Sequence, residues 1–393
     1  MPPTVLDNLT HNRVARPAEA PSQALVEVTD SAMKSARRNG TDVTTESLSA
    51  PADKHLPNGF SVGGTSDATR LYPGDHQFST IVDKSVRHFE LHVPPNYDGR
   101  KPIPVMVVMP GMGGSIEQMK HETGMNRMAD EKGFAVVYTE ALPKSFPGSF
   151  GLAKANGWNL DHGALTDKSA NYDDLNYMKE VDKQVAQQLN VDKQAKYIVG
   201  FSEGGGAAQY VAESMPHTFA GVGSVHGTHL DSDPKPAKGD KTAFVAVLGD
   251  DDNMLPINGG HGFGEGWRPI KGIATITIGR VSESEPLDQK KVWAQANDCA
   301  SPVVHDNGKD KTTEFSCKGT EVTEIIRHNG MHAWDGLGQN PNNQKTGIPD
   351  FGWPVIGVPN PKENTSRDVV NALMPYRKDG KHIDINRNLL EQE

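Results

Sequence analysis

The chain has 393 residues, 40 basic against 50 acidic, for a formal net charge of −10, and at roughly 150 residues per domain it has room for one large α/β domain with appendages. That acidic balance disfavours a nucleic-acid binder or a protein held on anionic lipid, each of which needs a basic stripe, and no apolar run approaches the ~18 residues of a membrane span. The two cysteines, Cys299 and Cys317, rule out a disulfide-rich mini-scaffold and a four-cysteine zinc site, and can form one bridge or stand as two buried thiols.

Residues 1–72 are rich in Thr, Ser, Ala, Asn, Asp and Pro. Such a stretch cannot bury enough apolar surface to offset its ordering entropy, so a disordered polar segment is expected there, followed by a single catalytic domain over residues 73–393. Met1 to Ala20 has neither a charged n-region nor an apolar h-region, so no Sec-type leader is visible.

Order begins near Gln77. Phe89, Leu91 and Val93 alternate with His88, Glu90 and His92, which is strand periodicity. Ile103 to Met109 is a continuous apolar run, as a strand buried on both faces should be. Ser115 to Lys132 reads as one helix stopped by Gly133, and Phe134 to Tyr138 as a second buried strand. Leu175, Met178, Val181, Val185 and Leu189 recur at helical spacing behind Asp173 and Asp174, where the macrodipole favours anions. Lys196–Gly200, Ala220–Val225, Thr242–Leu248 and Glu321–Ile326 supply further strands, and a last helix runs through Met374 to Pro375. Strands alternating with helices imply a mostly parallel central sheet flanked by helices. Ser145–Asn171, Asn258–Trp267 and Gly336–Asn364 read as long loops, and such loops are often functional.

The strongest chemical signal is Gly200-Phe201-Ser202-Glu203-Gly204, at the handover from a buried strand to a helix. A nucleophile elbow needs small residues two before and two after the serine, because side chains there would collide. A serine hydroxyl needs a base, and the base an orienting acid, in the chain order Ser, acid, His. Asp250, Asp251 and Asp252 compete for the acid at a strand end, and His328 and His332 for the base. His328 lies close to its strand, whereas His332 lies out on a loop beside Trp334. An oxyanion needs backbone donors. These would be the N–H of Glu203, after the nucleophile, and that of Met112 in the glycine-rich Pro110–Gly114 loop.

His226, His229 and Asp231 form a weaker metal candidate at a strand exit; their spacing matches no zinc pattern, and no metal is expected. No cofactor is called for either. Trp158, Trp267, Trp334 and Trp353 all fall in the long loops. Trp158 and Trp334 are the candidates for substrate contact, as flat walls for an apolar acyl chain or aromatic acid; the competing role is pinning the loops.

From about Phe89 to Met374 the chain resembles the polyhydroxybutyrate depolymerase-like and feruloyl esterase-like enzymes of the α/β-hydrolase fold. The likeness rests on Pro110–Gly114, Thr123–Asn126 running into Gly133–Tyr138, Trp158-Asn159, Asp174, the elbow, Gly249–Pro256 and Gly330–Trp334, in that order. It implies Asp252 as the acid, His332 as the base, a Cys299–Cys317 bridge, a small-molecule or polymeric ester substrate and a secreted enzyme, with a cytoplasmic location as the alternative. Three positions depart from the family pattern: Pro110 stands where a histidine is usual, Asp335 follows Trp334 in place of proline, and the charged Glu203 follows the serine. A carboxylate there could raise the histidine pKa or repel anionic substrates. The reading is a serine esterase acting through an acyl-enzyme; a peptidase or thioesterase on the same fold, and a non-catalytic interaction protein, are the alternatives.

Overall fold

The computed structural model describes residues 71–145, 154–160, 171–230, 232–252, 254–255, 257, 286–336, 359–386 and 389. The N-terminal segment, apart from Leu71 and Tyr72, lies outside these residues, as do Trp267, Trp353, Asp231 and the loop Asn258–Trp267.

In chain order the strands are β1 (Gly74–Val82), β2 (Ser85–Val93), β3 (Ile103–Met109), β4 (Ala135–Thr139), β5 (Pro143–Ser145), β6 (Lys154–Asn156), β7 (Val191–Phe201), β8 (Gly221–Val225), β9 (His229–Leu230), β10 (Ala243–Gly249), β11 (Pro286–Leu287), β12 (Val303–Asp306), β13 (Asp310–Cys317) and β14 (Thr320–Arg327). The helices are α1 (Ile116–Thr123), α2 (Met125–Lys132), α3 (Asp174–Gln188), α4 (Glu203–Ser214), α5 (Gln289–Ala296) and α6 (Thr365–Leu373). None of the described helices is long and apolar enough to cross a membrane.

Ten strands form one sheet in the order β1-β2-β4-β3-β7-β8-β10-β14-β13-β12. The six from β4 to β14 run parallel, and antiparallel hairpins close both ends. The expected Ile103–Met109 strand is buried at every position. Its alternation feeds two cores: Val105, Val107 and Met109 join one with Met178, Val181 and Val211 from α3 and α4, while Met106 and Val108 join the other with Met119, Met128, Val369 and Leu373 from α1, α2 and α6. Helices on both faces of a mostly parallel sheet make this an α/β-hydrolase fold.

Two local features differ from the sequence reading. The single helix expected over Ser115–Lys132 is two, because Gly124 adopts the left-handed conformation (φ 54°) and its N–H caps Lys120. The strands at the two edges, β1 and β12, are one-sided and exposed respectively, so they lack the apolar runs that mark the inner strands. Cys299 and Cys317 are joined in a disulfide, which ties the segment after α5 to the end of β13.

Candidate active site

The residues singled out by sequence meet at the carboxyl ends of parallel strands, where ligands bind in open α/β sheets. Ser202 follows β7 in a positive-φ backbone conformation (φ 55°, ψ −123°) that non-glycine residues rarely adopt, and begins the turn into α4. A Cβ on Gly200 would lie 1.9 Å from the Gly204 carbonyl oxygen, and one on Gly204 would lie 2.4 Å from that of Pro110. Only glycines let the strand, the helix and the Pro110 loop converge at this point. The Ser202 N–H donates to Val225 O at 2.8 Å, anchoring the turn to β8.

Asp252 follows β10, and His332 follows β14. Their two loops are in backbone contact: Asp251 N–H donates to Gly330 O at 3.0 Å, and a Cβ on Gly249 would sit 2.1 Å from that same oxygen. His332 Nε2 lies 2.9 Å from Ser202 Oγ, and His332 Nδ1 lies 2.7 Å from Asp252 Oδ2. Asp252 Oδ1 accepts the Met254 and Leu255 N–H groups at 2.9 and 2.8 Å. Burial pushes the Asp252 carboxyl up, but hydrogen bonds from His226 and His332 outweigh it and hold it well below the usual carboxylate range. The competing pair is elsewhere: His328 Nδ1 lies 2.8 Å from Asp250 Oδ2, and its Nε2 faces Asp306, on a partly exposed edge. The third aspartate, Asp251, takes part through its backbone contact with Gly330.

A second histidine was weighed from sequence only as a metal ligand. His226, directly after β8, places Nδ1 2.8 Å from Asp252 Oδ2, and its ring lies edge-on to that of His332. Its signal was its position, one residue past a buried parallel strand. Burial, reinforced by the nearby His332 and Arg327, pushes its pKa below the ordinary imidazole value. His229 goes elsewhere, to Glu213 at 2.7 Å, so His226 and His229 have different partners. Among the described residues His226, Asp252 and His332 do bring possible metal-ligand atoms within 4.8 Å of one another. Both Nδ1 atoms already bond the shared carboxylate oxygen, so a cation would have to displace two hydrogen bonds.

The Pro110–Gly114 loop runs beside the serine; a Cβ on Gly111 would lie 3.1 Å from Ser202 Cβ. Met112 is half-buried in this loop, and Glu203 is the first residue of α4. Gly113 N–H donates to Asn156 O at 2.7 Å, and the Trp158 indole N–H donates to Pro110 O at 2.8 Å. Trp158 is 2% exposed and Trp334 1%. The structure therefore places both indoles inside the domain, with Trp334 donating to Ser366 Oγ at 3.0 Å, and not as open walls for substrate. Asp174 ties the Trp158-Asn159 segment to β2. Its carboxylate accepts the Asn159 N–H and meets Arg87 at 2.5 Å, and Arg87 stacks on the Tyr177 ring.

Glu203, the charged departure beside Ser202, faces Lys144. The Nζ to Oε1 distance is 3.0 Å, with the side chains 0% and 6% exposed. The countercharge offsets the field that a lone carboxylate would impose on His332.

Residues 79–346 match the esterase family, described as putative esterase. The chain belongs to this esterase family. Its general chemistry is carboxylic-ester hydrolysis. Similar proteins include a putative esterase, NocK, from Nocardia uniformis, 29% identical over 65% of this chain and 73% of that protein. A probable feruloyl esterase C from Aspergillus niger is 23% identical over 67% of this chain and 87% of its own length. Among solved structures, an acetyl xylan esterase from Aspergillus awamori aligns with 65% of this chain and 92% of its own, at 12% identity and a TM-score of 0.43.

Proposed function

We propose that the protein is a serine carboxylic-ester hydrolase in which Ser202 is the nucleophile, His332 the general base and acid, and Asp252 the carboxylate that orients it. The observation that carries this reading is the hydrogen-bond chain from Ser202 Oγ through His332 to Asp252, 2.9 and 2.7 Å long. Ser202 Oγ attacks the ester carbonyl as its proton passes to His332 Nε2. The N–H groups of Met112 and Glu203 hold the oxyanion. His332 then returns the proton to the departing alcohol, leaving an acyl-enzyme. Water, deprotonated by the same histidine, releases the acid. No cofactor takes part.

For substrate we infer neutral short-chain, hydroxyalkanoate-type or aromatic esters. The similarity to proteins named feruloyl esterase C supports the aromatic class, and the net charge of −10 disfavours anionic esters at long range. The Cys299–Cys317 disulfide supports an oxidising, extracellular location.

A fluorophosphonate probe should label Ser202 in the wild type and leave Ser202→Ala unlabelled. A panel of 3-hydroxybutyrate oligomers, hydroxycinnamate esters and nitrophenyl esters should show turnover that Ser202→Ala loses. Labelling or turnover that survives in Ser202→Ala would overturn the assignment, and an unlabelled, inactive wild type would favour a non-catalytic interaction protein.

A further inference from the structure

We propose that His226 is a positioning residue for the Asp252–His332 pair, its Nδ1–H competing with His332 for one carboxylate oxygen and so setting how tightly that oxygen holds the imidazolium formed during attack. This inference rests on the serine-esterase reading above.

Asp252 Oδ2 is shared by His332 Nδ1 at 2.7 Å and His226 Nδ1 at 2.8 Å. With two backbone N–H groups on Oδ1, four donors meet a carboxylate that offers about four lone-pair sites. A carboxylate satisfied in this way keeps its charge but presents less of it to any one partner. The ionisable groups acting on His226 are Asp252, His332 and Arg327. Its side chain is 1% exposed, and burial, reinforced by the nearby His332 and Arg327, pushes its pKa below the ordinary imidazole value. The neutral ring that burial favours adds a hydrogen bond to Asp252 without adding a positive charge beside His332. The imidazolium that forms during attack is held less tightly than it would be by an unshared carboxylate.

The ring is also fixed in place. His226 has a left-handed backbone (φ 50°), its N–H donates to Val247 O at 2.8 Å, and its ring lies edge-on to Phe201 and His332. A short-range device of this kind needs no contact with substrate.

The test compares His226→Leu, which fills similar volume but donates nothing, with His226→Asn. An asparagine amide nitrogen stands two bonds from Cβ, as Nδ1 does, and asparagine tolerates the left-handed backbone. In His226→Leu the acid limb of kcat/KM should move up by about 1 pH unit, roughly a tenfold loss at a pH on that limb. In His226→Asn the limb should return close to its wild-type position. If both variants lose melting temperature or kcat evenly across pH, with the limb unmoved, His226 only fills space and the inference fails. Should His226→Leu not fold, nitrogen-15 NMR of the wild-type imidazoles decides. His226 should stay neutral with its proton on Nδ1 throughout the active range, and a charged ring or an Nε2–H tautomer overturns the inference. Ser202→Ala separates the two levels: wild-type turnover in that variant refutes the esterase reading itself, whereas an inactive Ser202→Ala with an unmoved His226→Leu limb refutes only the role of His226.

Discussion

The Lys144 ammonium lies 3.0 Å from the Glu203 carboxylate, both side chains all but sealed from solvent, immediately beside Ser202. Lys144 also donates to the Trp158 carbonyl. One cation thus compensates the residue after Ser202 and holds the segment whose indole steadies the Pro110 loop. Removing one partner of a buried pair costs about 3–5 kcal/mol, because a charge is left behind, whereas removing both can be close to neutral. Lys144→Met should therefore lose both stability and kcat/KM, and Lys144→Met combined with Glu203→Gln should regain most of the stability. Chemical denaturation of the two single variants and the double variant gives the coupling. A coupling energy near zero would show that the pair is not interacting.

The two candidate histidines have different surroundings, and kinetics should rank them accordingly. His332→Ala should lower kcat by ~10⁴-fold or more, comparable to loss of the serine, with Asp252→Asn costing somewhat less. His328→Ala and Asp250→Asn, on the partly exposed pair that faces Asp306, should stay close to wild type. A reversed ranking in steady-state assays would move the base to His328.

Glu122 provides a stability test independent of catalysis. Burial pushes its carboxyl up to about 7, only partly offset by the hydrogen bond from Gln118. The folded protein then holds a proton that the unfolded chain releases near the ordinary glutamate value of about 4.5. Between those two values the native state binds more protons, so this residue's contribution to stability falls as pH rises and has its full cost above about 7. Glu122→Gln should match the wild type near pH 4.5 and exceed it above pH 7 by up to ~3 kcal/mol. Urea midpoints at the two pH values measure the difference; a gap that is the same at both would refute the assignment.

The Cys299–Cys317 bridge spans 18 residues. Closing a loop of that size constrains the unfolded chain by about 3 kcal/mol. Reduction with a thiol, or Cys299→Ser with Cys317→Ser, should lower the melting temperature while leaving kcat/KM on soluble esters nearly unchanged, since both cysteines lie on the hairpin side of the sheet, away from Ser202. Activity lost in parallel with the bridge at a temperature well below melting would show that the hairpin supports the site.

What could be read in the chain itself was what short-range rules control. The apolar run Ile103–Met109 announces a strand buried on both faces, and two glycines flanking Ser202 announce an elbow, because each feature depends on a few consecutive residues. Choosing among Asp250, Asp251 and Asp252 needed a family resemblance, since spacing alone left them equal, whereas its place out on a loop already set His332 apart from His328. The pairing of His226 with Asp252, of Lys144 with Glu203, and the burial of Trp158 and Trp334 followed no local rule. These residues meet across 26 positions in the first pair and 59 in the second, as Ser202 and His332 do across 130. The order of strands in the sheet decides such meetings by bringing the ends of β7, β8, β10 and β14 to one edge. Periodicity marks an element and its buried face but carries no record of which strand lies next to it. That order is settled only when the chain packs, so the shared oxygen of Asp252 belongs to the tertiary structure alone.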